Sequence, residues 1–187
     1  QAAQARFGRI DVLVTNAGGP PAGTFDTLSS EMWQAATQLL LTSVVELTRA
    51  VLPGMKERGW GRILNVTSIS VKQPVANLML SNSLRAAVTG MARTLATEVA
   101  SFGVTVNNIL PGYTRTERVV SLAEAAAVRE GISAAAATAR WEAEIPMRRL
   151  GEPREFAALA AFLCSERASY ITGTSVPVDG GWIRSLL

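Results

Sequence analysis

The groups in this chain that could do chemistry are hydroxyls, guanidiniums and a phenol, gathered where strand-like runs end. Ser68 closes the run Asn65-Val66-Thr67-Ser68; thirteen residues on lies Ser81, and four beyond that Arg85. The last spacing puts Ser81 and Arg85 on one helical face. A hydroxyl and a guanidinium so placed can hold an anion or a ribose, and they equally suit a polar face turned to solvent. Tyr113, Thr114 and Thr116 follow Pro111-Gly112. Tyr113 suits a cleft wall or ordinary aromatic packing; the threonines suit ligand contact or capping of the next helix. Asn16-Ala17-Gly18 is a strand-end turn that Asn and Gly form with or without a ligand. Lys72, four residues after Ser68, could line the same cleft as Tyr113 and reads more readily as a solvated loop charge.

Other chemistries are excluded by composition. The chain has 187 residues and no histidine, which removes Ser-His-Asp and Cys-His machinery and any histidine-based zinc site. Its single cysteine, Cys164, precludes an intramolecular disulfide and fits a reducing, cytoplasmic setting. Flanked by Phe162 and Leu163, it reads as core rather than reactive. At 48% hydrophobic and 18% charged, the chain can bury a sizeable core. The net charge of +3 comes from scattered basic residues, so nucleic acid is not an expected partner. No uninterrupted apolar run reaches the ~18–20 residues of a membrane span, and the opening residues lack the pattern of a signal peptide.

The elements that must position these groups alternate. A β-branched run at 10–14 is a short buried strand, ended by the loop at 16–21. Ser29 or Ser30 caps a helix running to about Arg58, which Pro53 is expected to end or kink. A second strand covers 62–66. Leu84, Val88, Met91, Leu95, Val99 and Phe102 then mark one helical face, stopped by Gly103. A third strand covers 104–110. Residues 117–143 read as helical with a break at Gly131, Pro153 opens a further helix, and 174–178 is a last strand whose Pro177 suggests an edge. This alternation predicts one α/β domain over 1–187 with parallel strands.

Taken together, Asn16-Ala17-Gly18, Asn65-Val66-Thr67-Ser68, Pro111-Gly112-Tyr113-Thr114-Arg115-Thr116 and Val178-Asp179-Gly180-Gly181 resemble the short-chain dehydrogenase/reductase family, in its 3-oxoacyl-acyl-carrier-protein reductase-like branch. Gly151-Glu152-Pro153 and Tyr170-Ile171-Thr172-Gly173 extend the likeness over nearly the whole chain. The resemblance implies the C-terminal part of a doubly wound, Rossmann-like sheet, NAD or NADP as cofactor, a small carbonyl or alcohol as substrate, and a homo-oligomer. It implies that Ser68 is the serine that bonds the substrate oxygen. It puts Ser81 where the family has its proton-donating tyrosine, Arg85 where a lysine grips the nicotinamide ribose, and Leu40 where an asparagine holds a water relay. Asn16, Ala17 and Gly18 would lie under the adenosine, with Pro111, Gly112, Thr114 and Thr116 beside the nicotinamide. Tyr113 is the candidate to replace the missing phenol. The first strand resembles the family's fourth, and no GxxxGxG turn occurs in these residues. Some 80 upstream residues are therefore expected to be missing, at ~30 per strand–helix unit. The expectation is an impaired enzyme, with a non-catalytic oligomerising subunit as the alternative.

Overall fold

The computed structural model describes residues 2–186. Four parallel strands lie side by side in chain order: β1 (Val12–Thr15), β2 (Gly61–Val66), β3 (Val104–Pro111) and β4 (Ser175–Val178). A short helix α1 (Ala2–Phe7) precedes β1, and α2 (Ser30–Thr37) and α3 (Ser43–Glu57) link β1 to β2. The helix α4 (Met79–Val99) links β2 to β3, while α5 (Glu117–Glu130), α6 (Ala134–Glu144) and α7 (Pro153–Leu163) link β3 to β4. Parallel strands require such crossovers.

Helices cover both faces of the sheet, so its central strands are apolar on both sides. On one face Val51 and Met55 of α3 and Ala92, Ala96 and Val99 of α4 pack on Ile63, Val104 and Val106. On the other, Phe156, Leu159 and Leu163 of α7 meet Leu64 and Ile109. The outer side of β1 is open: among the described residues β1 pairs only with β2, and Val12 and Val14 are 39% and 48% exposed.

A polar ladder crosses all four strands. Thr15, Asn65, Asn108 and Ser175 stand opposite one another in register. The Thr15 hydroxyl donates to Asn65 Oδ1 (2.7 Å), Asn65 Nδ2 to Asn108 Oδ1 (3.1 Å), and Asn108 Nδ2 to Ser175 Oγ (3.0 Å). A one-residue slip would break every rung, so the ladder fixes register. Asn107, on the opposite face, donates to Ile171 O and accepts from Thr174 N, fastening the approach to β4.

Three details depart from the sequence expectations. Pro53 does not end its helix, which runs on to Glu57. The proline gives up only its own bond to the carbonyl one turn back, the turns beyond it keep their donors, and Arg58 N closes the end on Gly54 O. Upstream, α2 passes into α3 through a π-helical stretch, Gln38–Thr42, a widening that sequence periodicity does not reveal. The continuous helix Ser30–Glu57 is long and apolar enough, by length and composition, to cross a membrane; here Ala36, Leu40, Val44, Val51 and Met55 are buried within the protein. Finally, the buried stripe of α4 is Leu80, Leu84, Val88, Ala92, Ala96 and Val99, while Phe102 is exposed under the Lys56 ammonium at 4.1 Å. Alanines let α4 approach the sheet closely. Gly103 then ends the helix at φ +68°, with the place of a Cβ only 2.1 Å from Gly59 O.

Candidate active site

The loops leaving the C-terminal ends of β1, β2 and β3 border a cleft of about 520 Å³. This is where open parallel α/β sheets bind ligands, and the size suits a small molecule or part of a cofactor. Asn16, Ala17 and Gly18 line it after β1, Ser68 after β2, and Pro111, Gly112, Tyr113, Thr114 and Thr116 after β3. Ser81 and Arg85 enter from one face of α4. The structure thus brings every singled-out residue except Lys72 and Leu40 to one cleft. Leu40 lies beneath it in the π-helical stretch, packed with Leu28, Ala36, Leu80 and Leu84, and offers no polar atom for relaying a proton.

Local folding explains the placements. The Ser68 hydroxyl accepts from Ser70 N at 3.1 Å, which turns the chain off β2 and keeps the side chain at the cleft. Ser81 is buried in the first turn of α4. One turn on, Arg85 donates from Nη1 to Val66 O (2.8 Å) and from Nη2 to Gly18 O (3.5 Å), spanning the exits of β1 and β2. Burial, and then the nearby Arg118, push the Arg85 guanidinium below its ordinary pKa. Gly112 carries no side chain for a reason: a Cβ there would stand 2.7 Å from Asp179 Cα, where Gly112 N bonds Val178 O. Thr116 stands at the N-cap of α5, yet its hydroxyl donates to Thr114 O (3.3 Å) rather than capping the helix.

Tyr113 is held by its neighbours. Its ring stacks on Trp141 of α6 (centroids 4.9 Å apart, planes at 14°) and meets Trp182 edge-on at 6.1 Å. Burial, then Glu144, raise the phenol pKa. Both effects oppose the easy proton release that a catalytic phenol needs. The stack instead anchors α5 and α6 beside the cleft.

Sequence reasoning missed Arg118. It lines the cleft and donates from Nη2 to Pro20 O at 3.2 Å, so close over Gly19 that a Cβ there would lie 2.9 Å from the same nitrogen. A signal was available: a cation in the first turn of a helix opposes the helix dipole, so an arginine there invites a search for an anion. Also missed was the apolar wall of Val75, Leu78, Val119, Leu122 and Phe156, whose members are spread over three segments.

A parallel, doubly wound sheet with a largely apolar cleft carrying a few hydroxyls and guanidiniums at its C-terminal edge defines a nucleotide-binding type of α/β protein. Comparisons with known proteins take this further. Residues 1–183 match the family model described as enoyl-(acyl carrier protein) reductase. The chain is 37% identical over 178 residues to nodulation protein G of Azospirillum brasilense, covering 95% of this chain and 68% of that one. It is 39% identical over 176 residues to an acetoacetyl-CoA reductase of Allochromatium vinosum, covering 94% and 67%. The crystal structure of YwfH, an NADPH-dependent reductase involved in bacilysin biosynthesis, superimposes with a TM-score of 0.93 at 33% identity, over 100% of this chain and 72% of that one. The chain belongs to the short-chain dehydrogenase/reductase family.

Proposed function

We propose that this chain is an NAD(P)-linked oxidoreductase module for a small carbonyl or alcohol, slowed in its chemical step by Ser81 and Arg85. The observation that carries the reading is the convergence of Ser68, Ser81 and Arg85 on one cleft. The NADPH-dependent reductase with the same fold supports the choice of cofactor.

The residues present fit the nicotinamide half of such a dinucleotide. Arg85 carries guanidinium donors at the cleft that can reach a ribose, and Pro111-Gly112 with Thr114 and Thr116 supply a narrow wall. When bound, the cofactor supplies or accepts a hydride. Ser68 donates a hydrogen bond to the substrate oxygen, and the fixed charge of Arg85 steadies negative charge developing there. Arg85 stays protonated and so cannot tune a neighbour by releasing a proton. A serine hydroxyl is far less acidic than a phenol and shorter in reach. Loss of a positioned proton donor lowers a rate by ~10²–10⁴.

The test follows NADPH consumption with ketones and 3-oxoacyl thioesters, beside calorimetric titration of NADPH and NADH. Binding without measurable turnover is expected, with Arg85→Ala weakening binding by ~1.5–3 kcal/mol, one charge-assisted hydrogen bond, and Arg85→Lys less. Turnover abolished by Ser68→Ala would refute the slowed step. Affinity unchanged by Arg85→Ala would remove Arg85 from the cofactor site. Absence of all nucleotide binding would favour the non-catalytic alternative. The single reduced cysteine supports a cytoplasmic setting. The exposed β1 edge with Val12 and Val14 supports self-association; a stable monomer by light scattering at micromolar concentration would count against it.

A further inference from the structure

The cleft has a second feature that hydride chemistry does not require: two arginines and no acid. None of the residues lining it is Asp or Glu, and among the described residues neither Arg85 nor Arg118 makes a salt bridge, although most other arginines of the chain do. The two side chains come from opposite walls, Arg85 from α4 and Arg118 from the first turn of α5. They end on the same short loop, at Gly18 O and Pro20 O, two residues apart. Each guanidinium has five N–H donors, and the hydrogen bonds made here, two by Arg85 and one by Arg118, all go to neutral backbone carbonyls. Burial first, and then the like charge of Arg118, lower the pKa of Arg85, so the cleft charges this guanidinium at a cost. An oxyanion between them would reverse that cost and use the donors left over.

We propose that Arg85 and Arg118 form a two-guanidinium site for an oxyanion, phosphate or carboxylate, carried into the cleft by a ligand. Two molecules could bring it: a dinucleotide through its diphosphate, or a substrate through an acid group of its own, such as a 3-oxo acid. The choice of these two rests on the oxidoreductase reading; the oxyanion site itself does not. Arg118 also bridges α5 to the loop after β1, so an anion held there would tie the α5–α6 segment to the sheet.

The test titrates the 187-residue chain with inorganic pyrophosphate and, separately, with acetoacetate, by calorimetry with no nucleotide present. Both should bind, more weakly as salt is raised. Arg118→Ala should weaken binding about ten- to a hundred-fold, one charge-assisted hydrogen bond, and Arg118→Lys less. Arg118 is exposed, so its loss should not compromise folding, and circular dichroism checks this; Arg85→Lys serves as the second variant. Arg115→Ala is the control, because Arg115 sits three residues away but is paired with Glu142 and Glu152, and affinity should be unchanged. Titration of NADPH then separates the sources. If the diphosphate is the natural anion, pyrophosphate competes with NADPH and Arg118→Ala weakens NADPH. If the substrate brings it, NADPH-saturated protein still binds acetoacetate and Arg118→Ala weakens that alone. Failure of NADPH to bind, with pyrophosphate binding intact, would defeat the oxidoreductase reading and leave the anion site standing. Binding of neither anion, or affinities indifferent to both Arg118→Ala and Arg85→Lys, would overturn the site.

Discussion

Replacing Asn108 by Ala should be among the most costly single changes in this protein, because it removes two rungs of the polar ladder at once. Asn65 and Asn108 are each 1% exposed. Without the Asn108 side chain, Asn65 Nδ2 and Ser175 Oγ lose their partners. A buried polar group left unsatisfied costs ~1–3 kcal/mol. Asn65 should bear the full penalty and the half-buried Ser175 less, since it reaches water, giving roughly 2–4 kcal/mol in all. That is a large fraction of the ~5–15 kcal/mol that holds a domain folded. In urea, with a slope of ~1–3 kcal/mol per molar, the unfolding midpoint should fall by roughly 1–2 M with the slope unchanged. Thr105 on the same strand provides the contrast. Among the described residues its buried hydroxyl has no partner, so Thr105→Val should leave the midpoint unchanged or raise it. If Asn108→Ala and Thr105→Val shift the midpoint equally, the ladder is incidental and the reasoning fails.

Gly103→Ala should destabilise by about 1–3 kcal/mol or more, since a φ of +68° already strains an alanine and its Cβ would meet Gly59 O; an unchanged thermal midpoint would contradict this. Glu155 is held down to about 2, first by its hydrogen bonds with Arg149 and next by the Glu152 backbone N–H. A carboxyl depressed on folding contributes stability that is present above its ordinary 4.5 and lost as pH falls towards about 2, so Glu155→Gln should flatten the stability–pH profile in that window and leave it parallel to wild type at neutral pH. Tyr113→Phe should preserve resistance to proteolysis around Gly131, because ring stacking on Trp141 rather than the hydroxyl anchors α5 and α6. Tyr113→Ala should lose the ~0.5–1.5 kcal/mol of such a stack beyond area burial and speed cleavage there.

The alternation of elements was legible because it rests on local rules. Ser29 caps α2 by accepting from Met32 N, Gly131 adopts the left-handed cap of α5, and Pro153 stands at the first turn of α7. What escaped the sequence depends on partners far along the chain. Asn65 and Asn108 look like poor strand residues until register sets them side by side. Arg62 reads as a surface charge but is 2% exposed, donating to Gly61 O, Gly103 O and Ser165 O and lying over the Trp60 ring. The cleft shows the same division. Ser68, Ser81 and Arg85 carry a recognisable spacing, whereas Arg118 reaches it from 33 residues beyond Arg85 on α5, which packs on α6, itself docked on Tyr113 through Trp141, an arrangement no local rule encodes.

The ladder and the cleft are parts of one device. Thr15 immediately precedes Asn16, Asn65 stands three residues before Ser68, and Asn108 three before Pro111. The Thr15–Asn65 rung is the last pair of β1 with β2, and the Asn65–Asn108 rung lies one pair before the end of β2 with β3, so both sit a few residues below loops that line the cleft. Apolar side chains would bury as much area there, but they tolerate sliding, because their contacts are non-directional. Hydrogen bonds of 2.7–3.1 Å do not. A slip of one residue, about 3.3 Å along a parallel strand, would move Ser68 or Gly112 by more than the length of a hydrogen bond. Asparagine in the sheet interior thus makes sense as a means of aligning three loops from three strands, so that hydroxyls and guanidiniums arriving from α4 and α5 meet them in one place.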